Sequence, residues 1–258
     1  MKTHSSNAAS VVARPSLCPY PPPATSQSNA ERILLYVYPG ASSLAAHIAL
    51  RWCGHPFDTL AVKPAMLRSA SHLAINPASV VPALEHGPSV LTDDIAIHDY
   101  LHGRFPDAGL FGDGSGQQRA ETLYWMMLSS SDMRLVFQSF CSPSFYRNRD
   151  DRRSVLQSNA SLRLRPLLEL VDSHLRSREW LTGFRSAADA YLYVVLRWAV
   201  LFGIEADDLQ YLAAFKRRIE ADPCVQAALE AEGLSPELAP TPRMVSGRTS
   251  VPEAQPCR

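Results

Sequence analysis

The apolar pattern of this chain changes character once, at Pro106 and the glycine-rich stretch Gly109 to Gly116, and a change of that kind divides a chain into two differently built parts. Before it, short β-prone runs alternate with helical spacing. Ile33 to Tyr38 is an apolar run stopped by Pro39-Gly40, which reads as a strand and a turn. Leu44, Ile48 and Trp52 continue at helical spacing to Gly54, a natural helix stop. Phe57 to Val62 alternates as a second strand. Val80 to Leu84 and Ser89 to Leu91 form two more strands, joined by a tight Gly87-Pro88 turn, and Ile95, Ile97 and Tyr100 mark a further helix. The order is β-α-β-(α)-β-β-α.

Beyond the boundary the strand signals stop. Leu123, Met126, Ser130, Met133 and Phe137 trace one helix, and Val155, Leu162, Leu168, Val171 and Leu175 trace a second that tolerates Pro166 as a kink. Ser186 and Asp189 have the spacing of a capping box, opening an apolar helix, so Asp189 is assigned to folding. Further helices are expected from about Asp208 to Ala221 and after Pro223. The expected division is a disordered tail at 1–30, an α/β domain at 31–106, a linker at 107–116, an all-helical domain at 117–234 and a disordered tail at 235–258. Both tails are too rich in Pro and too poor in apolar runs to offset their ordering entropy.

Composition narrows the function. A net charge of +0 and a pI of about 7.1 favour neither nucleic acid nor an anionic membrane surface. The most apolar stretch, Tyr191 to Ile204, contains Arg197 and falls short of the roughly 20 residues that span a bilayer. It reads as a buried helix. Cys18, Cys53, Cys141, Cys224 and Cys257 are scattered, with no Cys-x-x-Cys pair and no metal-ligand spacing, which fits a reducing cytoplasm and no metal site.

Tyr36 to Leu44, His47 to Arg51, Leu73 to Pro77, Val81 to Leu84, Trp180 to Gly183, Ala188 to Leu192 and Leu196 to Ala199 occur in an order that resembles the beta-class, bacterial-type glutathione transferases over about residues 33–234. The resemblance implies a thioredoxin-like α/β domain followed by an all-helical domain, glutathione as co-substrate with no other cofactor, a small apolar electrophile as second substrate, and a homodimer. The activity it implies is conjugation of the glutathione thiolate, a detoxification chemistry. The alternative is a non-catalytic binding module on the same scaffold, because the departures from the family pattern cluster where the chemistry belongs.

The same resemblance assigns the site. Val81-Pro82 matches the family's cis X-Pro bond, which turns the Val81 backbone toward the cysteinyl backbone of glutathione; the plainer reading is that Pro82 shapes a turn. Asp93-Asp94 stands where the family has an acid followed by a small residue. Asp93 would hold the ligand's α-ammonium. Asp94 can occupy the helix N–H groups itself as a cap and would also repel the ligand carboxylate, by roughly 1 to 4 kcal/mol at contact; the competing reading is two acids that merely decorate a helix N-terminus. Ser42 stands at the family's cysteine, so thiol–disulfide exchange is lost, but Ser42 or Ser43 at a helix N-terminus can donate a hydrogen bond to a thiolate. Ser42 as a simple helix cap is the competing reading. Val37 replaces a family tyrosine. Met127, Ser131 and Arg134 take the positions facing the sulfur, at spacings that share one helical face; Arg134 either lends positive charge to the thiolate or pairs with Asp132 or another acid as an ordinary surface residue. Lys63 and Arg68 are both candidates for the glycyl carboxylate.

Overall fold

The computed structural model describes residues 32–138, 150–204 and 206–236. The expected tail at 1–30, residues 237–258 of the second tail, and Cys18, Cys141 and Cys257 lie outside the described residues. A four-stranded sheet has the order β2-β1-β3-β4, from β1 (Ile33–Val37), β2 (Asp58–Ala61), β3 (Ala83–His86) and β4 (Ser89–Thr92). β1 runs parallel to β2 and antiparallel to β3, and β3 runs antiparallel to β4. The parallel step is bridged by α1 (Ser43–Cys53), while Gly87 and Pro88 close the β3–β4 hairpin. Two further helices complete this half, α2 (Ala70–Ile75) and α3 (Asp94–Arg104).

Alternation along β1 sorts its residues between two clusters. Ile33, Leu35 and Val37 join the main core with Leu44, Ile48, Leu84 and Ile97, whereas Leu34 and Tyr36 belong to a smaller cluster with Val62, Leu67 and Val81. The strand expected from Val80 begins only at Ala83. Pro82, on a cis bond to Val81, has no N–H to give a ladder.

Among its described residues the second half has helices, turns and loops but no strand. α4 (Gly116–Met127) continues through a π-helical turn, Leu128–Met133, into α5 (Arg134–Phe137). Then come α6 (Asp150–Leu175), which contains Pro166, α7 (Ala187–Leu201), α8 (Gln210–Glu220) and α9 (Pro223–Ala231). α7 is apolar nearly all round and sits in the middle of the core, as such a helix must. Its Arg197 is buried and donates to the Tyr193 hydroxyl at 3.1 Å. No helix among the described residues is long and apolar enough to cross a membrane. Both α7 and α9 pack on α1, so the two halves share one continuous core through the helix that follows the first turn.

Candidate active site

The β1–α1 turn is fastened from the helical half. Gly40 takes φ 74°, a backbone conformation open to glycine at little cost. Its C=O accepts from the indole Nε1 of Trp198 at 2.8 Å, and its N–H donates to Glu232 Oε2 at 3.0 Å. The other Glu232 oxygen lies 2.9 Å from His47 Nδ1, with both side chains buried. This clamp sets the position of Ser42, two residues on. Ser42 precedes α1 but makes no side-chain cap bond, so the simple capping reading does not hold. Instead it lies within hydrogen-bonding reach of the Asp94 carboxyl and the Tyr191 hydroxyl. Ser43 departs from its expected role. Fully buried, its Oγ accepts the Tyr38 N–H at 3.1 Å and donates to the Tyr38 C=O at 3.3 Å, which makes it a lock within the turn.

The Val81–Pro82 bond is cis. The approach to it is held by the Val80 C=O, which accepts from Asn76 Nδ2 at 2.8 Å and lies 3.1 Å from His72 Nε2. At the start of α3 the two acids divide the work. Asp93, exposed and at φ 78°, accepts the Ile95 N–H at 3.1 Å and is the cap. Asp94 therefore does not cap, contrary to one expectation for it, and its side chain turns inward, 7% exposed. Burial pushes the Asp94 carboxyl well above the usual carboxylate range; the Ser42 hydroxyl opposes this, the Asp93 charge adds to it, and the Arg134 charge opposes it. His98 Nδ1 sits 2.6 Å from the Asp94 C=O, and burial drives that imidazole below its usual range.

These groups line a cavity of about 530 Å³ together with residues of the helical half. The π-helical turn widens the face that sequence spacing assigned to Met127, Ser131 and Arg134, adding Ser130. Such turns recur at functional sites. Arg134 Nε donates to the Ser130 C=O at 2.9 Å, and its charge reaches Asp94 and Tyr191. Among the described residues no ion pair joins it to Asp132. Tyr191, from α7, was not singled out by sequence reasoning although it stands within the Ala188 to Leu192 motif. It is buried, and that burial raises its hydroxyl well above the ordinary value, so it stays a neutral donor. The cavity thus gathers Ser42, Val81, Pro82, Asp93, Asp94, Ser131 and Arg134. It does not gather Ser43, Val37, Lys63 or Arg68. No cluster of His, Cys, Asp or Glu among the described residues has the makings of a metal site.

A glutathione S-transferase of Xanthomonas campestris is 41% identical to this chain over 202 residues, which cover 78% of this chain and 99% of the relative. The chain belongs to the glutathione S-transferase family. This transferase is also similar to the structure of a Xylella fastidiosa glutathione S-transferase, with 43% identity, a TM-score of 0.74, and coverage of 79% of this chain and 100% of the other. A beta-class glutathione S-transferase of Sphingomonas chungbukensis superposes with a TM-score of 0.69 at 33% identity, covering 78% and 100% respectively. No model of a protein family matches the chain.

Proposed function

We propose that this transferase conjugates the thiolate of glutathione to small apolar electrophiles in the cavity between its two halves. The observation that carries the reading is the convergence of Ser42, the cis Val81–Pro82 bond and the Asp93–Asp94 helix start on one cavity with Met127, Ser131 and Arg134. In the reaction the sulfur of glutathione forms a bond to an electrophilic carbon, whose leaving group departs or whose π electrons shift. Ser42 donates a hydrogen bond to the thiolate, and the Arg134 charge nearby favours its formation. The Val81 N–H and C=O pair with the cysteinyl backbone, Asp93 holds the α-ammonium, and Ser131 adds a hydroxyl. Met127 offers the electrophile an apolar contact. Glutathione is the co-substrate and no other cofactor is invoked. A homodimer in the cytoplasm belongs to the same reading.

One observation favours the binding-module alternative: a second buried acid, Asp94, stands beside Ser42. Calorimetric titration with glutathione, followed by conjugation assays on Ser42→Ala, separates the two. Conjugation should fall at least about tenfold in Ser42→Ala, as loss of a stabilising donor requires. An unchanged rate removes Ser42 from the mechanism, and glutathione binding without turnover of any electrophile favours the module.

A further inference from the structure

Asp94 Oδ1 is buried and has no hydrogen-bond partner. An ionised carboxylate kept that way is costly, and the charge of Asp93 next to it adds repulsion. The neutral acid has neither problem, and it changes what the wall of the cavity offers. Neutral Asp94 gives its proton to a hydrogen bond, which leaves the Ser42 hydroxyl free to donate outward. Tyr191 adds a second hydroxyl donor and Arg134 a positive charge. Such a wall accepts an anion. Ionised Asp94 reverses each contribution, because it takes the Ser42 hydrogen for itself and offsets the Arg134 charge.

We propose that Asp94 is a specificity-determining residue that admits an anionic group of glutathione as the neutral acid and excludes it once ionised. The inference rests on the glutathione reading above. Two kinds of group in the ligand share the required chemistry, the thiolate and the carboxylates, and of the carboxylates the γ-glutamyl one is the one the glutathione reading puts at the start of α3. The charged and titratable neighbours that face Asp94 are Asp93 on the preceding residue, His98 one turn along α3, Arg134 from α5 and Tyr191 from α7. A test must hold all four constant.

The test is calorimetric measurement of Kd on the full chain, for the parent and Asp94→Asn, with glutathione and with S-methylglutathione, from about pH 5 to about pH 9. Asn keeps the shape and a donor but cannot ionise. The ratio of parent to variant Kd cancels titration of the ligand and leaves the effect of the Asp94 charge, exerted directly or through those neighbours. That ratio is expected to stay near one at the acid end and to rise at least about tenfold toward the alkaline end, since linkage allows up to tenfold per pH unit. A rise with both ligands assigns the carboxylate; a rise with glutathione alone assigns the thiolate. Ratios constant to within about threefold for both ligands overturn the inference while leaving the glutathione reading intact. Absence of binding to either ligand, by either protein at every pH, overturns both. Asp94→Ser, put through the same series, must give the same profile as Asp94→Asn, and it replaces that variant should Asp94→Asn fail to fold.

Discussion

Two buried aspartates open two helices of this transferase, Asp189 in α7 and Asp94 in α3, and they have opposite surroundings. Asp189 Oδ1 accepts the Leu181 N–H at 3.0 Å; Oδ2 accepts the Ser186 N–H at 2.8 Å and the Ser186 hydroxyl at 2.9 Å. Burial raises this carboxyl to about 6, with those donors holding it down. Asp94 has one hydroxyl within reach, keeps an unpartnered oxygen and faces the cavity. In both acids burial is the largest cause of the raised carboxyl. What differs is the supply of donors, and it decides whether a buried carboxyl serves folding or is left available to a ligand.

The sharpest way to break this comparison is to remove each side chain in turn. Asp189→Ala leaves two backbone N–H groups and a hydroxyl without their acceptor and ends the capping box, so it should cost about 2–4 kcal/mol in urea unfolding. Asp94→Ala strands no backbone group and removes an uncomfortable acid, so stability should change by less than about 1 kcal/mol, or rise. Equal losses at the two sites would put both acids in the same structural class.

The pH dependence of stability sharpens the same contrast. Both carboxyls are raised in the folded state, so the native protein holds protons that the unfolded chain has released. Their contribution to stability is therefore greatest in acid and is lost as pH rises through the folded values. For Asp189 the window runs from 3.8 to about 6, and its share is at most about 3 kcal/mol. The decline due to Asp94 should extend to higher pH. Unfolding followed across pH should accordingly lose only its alkaline portion in Asp94→Asn, and a curve unchanged by that substitution would mean that Asp94 does not titrate there.

How much of this was legible in the sequence follows from distance along the chain. The capping box is a local pattern, Ser186 and Asp189 one helical turn apart, and it forms as read. The order of elements along the first half and the Gly87-Pro88 turn are likewise carried by short motifs, whereas the cis bond at Pro82 is what the family resemblance implies. The arrangement around Ser42 is not local, since Asp94, Arg134 and Tyr191 come from three other elements and meet only when α7 is in place. Which of two adjacent acids caps α3 is decided by the left-handed backbone of Asp93, which places its own carboxylate over the Ile95 N–H and turns Asp94 inward. The π-helical turn is hidden for a related reason: its width comes from packing, and the spacing of Met127, Ser131 and Arg134 reads equally well as an ordinary helix. Ser43, expected at the ligand, was indistinguishable in sequence from its neighbour until the bonds to Tyr38 claimed it.

The smallest expected effect concerns how far the helical half controls the Ser42 turn. Trp198→Phe keeps a ring against Phe137, whose centroid lies 5.6 Å away, but removes the donor to the Gly40 C=O. One such bond contributes about 1 kcal/mol to stability. Its loss leaves Gly40 held by Glu232 alone, and a turn that shifts by a fraction of an ångström misaligns the donor at Ser42. Conjugation should fall by roughly threefold, with a greater effect on kcat than on KM, because misalignment acts on the reacting sulfur more than on the rest of the ligand. A rate equal to that of the parent, at the same loss of stability, would mean that Glu232 fixes the turn without help and that Trp198 belongs with Asp189 among the groups that serve folding.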